Sequence, residues 1–298
     1  MRSDLRLTTV LPHLLPWWTR VAEHPPRAAA LPRPHESPAL EAALARLPAQ
    51  ARARVLHPLV PVPGTRELRW GDVVARQYDG TTCGSAVLAM TAAAGDVRLA
   101  LWLETGERCG GREGPVELAG VAATTLDGLG DAGARFAFLQ RRLKTLSNGR
   151  AAAGLPWPAA LGTPPWGAAR VARWGALRYR HAIVGAPRQG HVLDAVASWG
   201  QAGVPVLDAD ASWGQAGVPV PLFAGGDLAR GVATAVPRHV VLVTDVVGPV
   251  WSVYEPSSGA VHEVTRGELV AGGRLAALGG WNHLAWALVP RAGAAAAA

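Results

Sequence analysis

The sequence predicts an α+β protein in which helices come first and an antiparallel sheet follows. Three observations carry this. Apolar residues recur at helical spacing in 82–94 and 131–146. Much later the chain turns to β-branched runs, "RHVVLVTDVV" (238–247) and "VWSVYEP" (250–256). Gly248-Pro249 sits between those runs as a turn, so the two read as a hairpin. Helices followed by strands, rather than alternating with them, are the pattern of α+β segregation.

Residues 1–68 are rich in Pro and Ala, as in "EHPPRAAALPRPHESPAL" and "HPLVPVPG", and predict an N-terminal extension. One helical island, "PALEAALARLPAQARARVL" (38–56), interrupts it. The main domain is expected over 69–290, opened by an extended lead-in at 69–78. The helix at 82–94 has Thr81 or Thr82 as a candidate cap and Gly95 as its stop. The helix at 131–146 places Phe136, Leu139 and Leu143 on one face. "GLPWPAALGTPPWGAARVARW" (154–174) then reads as a Pro/Trp-rich passage over the surface.

A tandem repeat follows. "LDAVASWGQAGVPV" (193–206) runs directly into "LDADASWGQAGVPV" (207–220), and the copies differ only at Val196 and Asp210. Two copies of 14 residues make no solenoid. The second copy leads toward a strand, so it is expected to keep the structural role and the first to form an extra loop or a lengthened helix–loop. After the hairpin, "SSGAVHEVT" (257–265) reads as a turn and short strand, "HLAWALVP" (283–290) as the closing strand, and 291–298 as an Ala-rich tail.

Composition narrows the function classes. The chain is 49% hydrophobic and 17% charged, with a net charge of +7. Lys144 is its only lysine, and the arginines are scattered. The densest basic cluster, "LQRRLK" (139–144), fits a solvated helix face, and no nucleic-acid motif accompanies it, so no nucleic-acid partner is expected. Two cysteines make no disulfide framework. "MRSDLRLTTVLPHLLPWWTR" lacks the clean apolar core of a signal peptide, and no run reaches the ~18 apolar residues of a membrane span. A cytoplasmic location without membrane partners is the expectation. Neither a P-loop, HExxH, CxxC nor a strand–helix GxGxxG occurs, so no metal or cofactor is expected.

The chemistry centres on "RQYDGTTCGSAVLAM" (76–90). The thiolate is the reactive form of cysteine, and a helix N-terminus favours it through unpaired N–H groups and the helix dipole. Cys83 falls in the first turn of the predicted helix. Gly84 would keep the backbone open to an approaching carbonyl, and Gln77 could donate from its carboxamide to a developing oxyanion, beside the Cys83 N–H. The stretch alone leaves open a second reading, a small buried residue at a helix start. Cys109, in "GERCGGREG", reads as part of a flexible loop.

A base is needed, and nine histidines are available. His13, His24, His35 and His57 lie in the Pro-rich extension, His181 and His191 flank an irregular stretch, His262 sits in an exposed turn-strand, and His283 opens the last strand. His239 opens the strongest strand in the chain, where it would be held rigidly. Pairing the strands around Gly248-Pro249 brings the start of one beside the end of the next, which makes His239 and Glu255 neighbours.

With these residues placed, "Q-x5-C-G-x-A-x-L-x-M", the downstream "P-R-H-V-V-L-V" and "Y-E-P-S-S-G" resemble the papain-like cysteine peptidases, closest to their C39-like branch. The resemblance covers about residues 70–265 and rests on four positions. It implies a papain-like fold, a Cys-bearing helix packed on an antiparallel sheet that carries the His. It also implies Gln77 as oxyanion donor, Cys83 as nucleophile, His239 as acid and base, and Glu255 as orienter, acting on a peptide or protein substrate. Two positions depart from the family pattern: Glu255 stands where Asp is usual, and Thr82 where an acid usually precedes the nucleophile. Asn282 beside Trp281 is similar to the Asn and Trp of papain but comes too late in the chain to displace Glu255. The same residues could run acyl or amide transfer or deamidation, or persist in an inactive peptide-binding relative. A separation beyond about 5 Å between the Cys83 sulfur and the His239 ring, with no route to the ~3 Å contact that proton transfer needs, would favour the inactive reading.

Overall fold

The structure is a computed structural model, and it describes residues 37–109, 114–185, 189–201, 204–207, 213–225 and 237–291. The expected extension before residue 37, with His13, His24 and His35, lies outside the described residues, as does the Ala-rich tail from residue 292.

The helical island is two helices, α1 (Pro38–Ala45) and α2 (Ala49–Leu56), because Pro48 ends the first and starts the second. Their residues Leu40, Ala43, Leu44, Val55 and Leu56 are buried in the same core as the rest of the chain. Arg54 pairs with the buried carboxylate of Glu104, which also accepts from the Gly71 backbone N–H at 2.8 Å. The lead-in is a short hairpin, β1 (Arg69–Trp70) and β2 (Val73–Val74).

Helix α3 (Cys83–Ala94) is the axis of the molecule, with every residue from Cys83 to Ala93 buried. Its Ala and Gly positions let neighbours approach closely on all sides. Helix α4 (Val97–Thr105), capped by Asp96, turns away at 115° to it. Among the described residues no single helix is long and apolar enough to cross a membrane. After α5 (Ala123–Asp127), helix α6 (Ala132–Asn148) packs its Phe136, Leu139 and Leu143 face inward, capped by Asp131. The "LQRRLK" cluster is not merely solvated. Arg142 donates to the Glu117 carbonyl at 2.6 Å, Lys144 reaches the Thr81 hydroxyl, and Arg141 lies 4.8 Å from the centre of the Tyr78 ring.

The Pro/Trp-rich passage wraps the surface only in its first half. Pro165 sits at the first position of α7 (Pro165–Val171), which buries Gly167, Ala168 and Ala169 and leads into β3 (Arg173–Trp174). Strand β4 (Leu177–Ile183) follows, then α8 (Gln189–Gly200), β5 (Val204–Leu207), β6 (Trp213–Ala216), β7 (Val220–Gly225), β8 (Pro237–Val247), β9 (Val250–Glu255), β10 (Ala260–Thr265), α9 (Arg266–Ala271) and β11 (Leu284–Arg291). Seven strands form one antiparallel sheet in the order β10-β9-β8-β7-β11-β4-β3. The fold class is α+β, as the sequence predicts.

The repeat departs from expectation in part: the first copy does begin as helix, in α8, but that helix is buried structure and not an addition. The structural role is divided between its copies rather than kept by the second. Leu193, Ala195, Val196 and Trp199 of the first copy are the buried face of α8, while Val218 and Val220 of the second lead into the core strand β7. Trp-Gly is helical at 199–200 and extended at 213–214. Between these parts, and among the described residues, β5 pairs with β6 in a separate two-stranded sheet. Gly217 lies so close to Gly200 that a Cβ on it would stand 2.0 Å from the Gly200 carbonyl oxygen, and the Val218 N–H donates to the Trp199 carbonyl at 2.9 Å. The end of α8 and the residues that lead into β7 are therefore in direct contact.

Candidate active site

Helix α3 presents Cys83 from its first turn against the His239 end of β8. The helix opening has no side-chain cap. The Thr82 hydroxyl instead donates to the Asp79 carbonyl at 3.0 Å and accepts from the Asp79 N–H at 2.9 Å, while Thr81 is held by the Asp79 carboxylate. The first intrahelical bond runs from the Ala86 N–H to the Thr82 carbonyl. The N–H groups ahead of it, including that of Cys83, thus have no partner within the helix, and the helix dipole is positive at this end.

His239 pairs in register with Ala224 of β7, near the start of β8. Its Nε2 donates to Glu255 Oε1 at 2.8 Å, since an ionised carboxylate only accepts. Cys83 lies near enough to the ring to raise the His239 pKa, and Nδ1 is the ring nitrogen that Glu255 leaves unused. The imidazole and carboxylate side chains are 8% and 5% exposed, so the pair works with little water around it. Leu242 faces Tyr254 across the hairpin, with an irregularity nearer the turn. Continuing that register puts His239 on the diagonal from Glu255, two residues beyond its direct partner, on the same face of the sheet. A diagonal partner needs a long side chain, which gives a physical reason for Glu at this position.

Charge matches geometry. Burial alone would lower the His239 pKa, but the hydrogen bonds and charges of Cys83 and Glu255 outweigh it and raise it to about 9. Burial alone would raise that of Glu255, but the bond from His239 and those from the Ser257 and Ser258 N–H groups, at 2.7 and 2.9 Å, bring it down to about 2. Both groups are thus held charged across the neutral range.

Gln77 is not in this hydrogen-bonded row, but it is tied to it. Its Oε1 accepts from the Ser257 hydroxyl at 3.2 Å, its Nε2 donates one N–H to the Asp79 carbonyl at 2.8 Å, and its backbone N–H donates to the Pro256 carbonyl at 2.8 Å. The "EPSSG" turn therefore stitches the helix side of the site to the sheet side. It can do so because Gly259, at φ +76°, takes a left-handed conformation under Val74, where a Cβ would stand 2.4 Å from Val74 Cγ1.

Two residues depart from the sequence reading. Gly84 does not leave space for a ligand. A Cβ there would stand 2.7 Å from Thr163 Cβ, so the absent side chain serves packing. Gly279, which no motif singled out, lies against the base. It adopts φ +62°, and a Cβ on it would stand 2.6 Å from His239 Nε2 and Cδ2. The turn around it closes through bonds from the Leu278, Gly279 and Gly280 N–H groups, and Trp281 packs beside Gly225 at the end of β7. The one sequence signal was "LGGW" itself, a Gly pair before an aromatic residue.

A shallow groove of about 530 Å³ begins at Gln77 and runs between β2 and α6 past Tyr78 and Phe136. A larger cavity, about 580 Å³, lies at the opposite end of α3, lined by Ala94, Trp174 and Asp245 among others, and holds none of the site residues. Among the described residues no three His, Cys, Asp or Glu side chains gather to hold a metal ion. No protein-family model, curated protein or solved structure matches this chain.

Proposed function

We propose that the chain is a papain-like cysteine peptidase or amidase, with Cys83 as nucleophile, His239 as acid and base, Glu255 as orienter and Gln77 as oxyanion donor. The observation that carries this is the imidazole of His239 held between a thiol and a buried carboxylate, at the opening of an uncapped helix. The arrangement of a Cys-bearing helix on a His-bearing antiparallel sheet supports the papain-like reading of the fold.

The imidazolium stabilises the Cys83 thiolate, which attacks the carbonyl carbon of an amide. The carbonyl electron pair moves onto oxygen, where the Cys83 N–H and the free N–H of the Gln77 carboxamide receive it. The C–N bond then breaks as His239 Nδ1 gives its proton to the leaving amine. Water attacks the resulting thioester, giving its proton to Nδ1, and the acid leaves with Cys83 restored. Glu255 holds the ring in the tautomer this needs throughout.

Cleavage of a quenched-fluorescence peptide library, with product sequencing, tests the proposal. The wild-type chain is expected to cleave a subset of peptides, and Cys83→Ala to lose cleavage by at least about a thousandfold. Equal cleavage by both proteins would end the proposal. Amine incorporation in place of hydrolysis would reassign the chain to acyl transfer.

A further inference from the structure

We infer that Ser257 is a positioning residue that fixes the Gln77 carboxamide as an oxyanion donor and couples it to the Glu255–His239 pair; this rests on the function proposed above. A carboxamide has nearly the same shape after a half-turn, but the turn exchanges its acceptor for its donors. Only the orientation that turns NH₂ toward the sulfur can stabilise an oxyanion. The Asp79 carbonyl, which only accepts, selects one orientation, and the Ser257 hydroxyl anchors the other end of Gln77 against swinging away. The Ser257 hydroxyl donates to Oε1 at 3.2 Å, and Nε2 donates to the Asp79 carbonyl at 2.8 Å. A flipped amide would set Oε1 against that carbonyl, oxygen on oxygen. The Asp79 carbonyl is itself fixed, accepting from the Thr82 N–H at 3.2 Å and the Thr82 hydroxyl at 3.0 Å. One N–H of Gln77 then remains for a ligand.

Ser257 also acts at its other end. Its backbone N–H donates to Glu255 Oε1 at 2.7 Å, the same oxygen that His239 Nε2 reaches at 2.8 Å. One residue therefore bridges the group that orients the base and the group that receives the oxyanion, and keeps the two at a fixed separation. The backbone bond survives any side-chain change, whereas the hydroxyl bond does not. That makes the two roles separable by substitution.

Ser257→Ala removes the hydroxyl and Ser257→Thr keeps one. Removing an oxyanion donor outright costs about a hundred- to a thousandfold in kcat, and loosening it costs less. For a library peptide cleaved by the wild-type chain, Ser257→Ala is expected to lower kcat about tenfold with KM unchanged, and Ser257→Thr to restore it. Alkylation of Cys83 by iodoacetamide, a displacement at saturated carbon with no oxyanion, should keep its wild-type rate and pH profile in both variants. The Gln77 side-chain amide, assigned by its loss in Gln77→Ala, should give one sharp ¹⁵N–¹H pair in the wild type and a shifted or exchange-broadened pair in Ser257→Ala. An unchanged amide signal, or an unchanged kcat, would overturn the inference while leaving the peptidase reading intact. Absence of any peptide cleavage by the wild type would sink the peptidase reading, and the amide signal would still decide whether Ser257 holds Gln77.

Discussion

Cys83 and Cys109 are the only cysteines in the chain, both are free, and burial does not tell them apart, at 4% and 7% exposed. Their surroundings do. Cys83 opens a buried helix beside His239, whose imidazole pKa is raised to about 9 through its contacts with Cys83 and Glu255. Cys109 follows the end of α4, with its sulfur 3.9 Å from both the Ala39 carbonyl and a Glu107 carboxylate oxygen. Burial pushes the Cys109 thiol up, and the Glu107 charge pushes it further, against a smaller opposing effect of Arg46. Equal burial thus leaves the two sulfurs in opposite surroundings, an imidazole held protonated beside one and a carboxylate beside the other, and a thiolate is favoured only by the first.

The comparison breaks if the cation beside Cys83 is displaced. Gly279→Ala would push a methyl group into the His239 ring, and a misplacement of about 1 Å costs on the order of a hundredfold in rate. Gly280→Ala is the control, since Gly280 also has a positive φ, +80°, but nothing lies within 4 Å of its missing Cβ. Peptide cleavage is expected to fall about a hundredfold in the first and only a few fold in the second. Equal losses would show that backbone strain, not contact with the ring, is responsible.

A smaller effect sharpens it. Glu255→Gln keeps the length of the side chain and removes its charge, with an expected loss of about tenfold in kcat/KM at neutral pH. The pH profile carries the sign. His239 is raised to about 9, so its imidazolium is complete below the ordinary value of 6.5 and is lost as pH rises through about 9. Glu255 is lowered to about 2, so its carboxylate is retained above the ordinary 4.5 and lost as pH falls through about 2. The stability from the pair is therefore full between about 4.5 and 6.5, and the upper limb of activity should sit near 9. Without the carboxylate charge that limb should move down. An upper limb unmoved in Glu255→Gln would remove Glu255 from the account.

Much of the site was legible in the sequence because it follows from local rules. A Gly-Pro turn between two β-branched runs fixes a hairpin, and the hairpin alone brings His239 to Glu255. A helix start is readable from its small apolar run, which located Cys83. Contacts set by the tertiary fold were not readable. Thr82 looked like a cap but its hydroxyl bonds Asp79, and that leaves the helix amides available. Gly279 reaches His239 only because the chain between β10 and β11 folds back over the sheet edge, and Ser257 reaches Gln77 across 180 residues. The repeat carries the same lesson, since Trp-Gly is helical at 199–200 and extended at 213–214. There the partner strand and the buried face decide the structure, and local propensity does not.

The most direct test is the rate of iodoacetamide alkylation at pH 7 in the two single-cysteine variants, Cys109→Ala and Cys83→Ala. An imidazolium beside one thiol and a carboxylate beside the other should make Cys83 react at least about tenfold faster than Cys109. That advantage should fade when His239→Ala is added. Equal rates in the two variants, or an advantage that survives the loss of His239, would contradict the account.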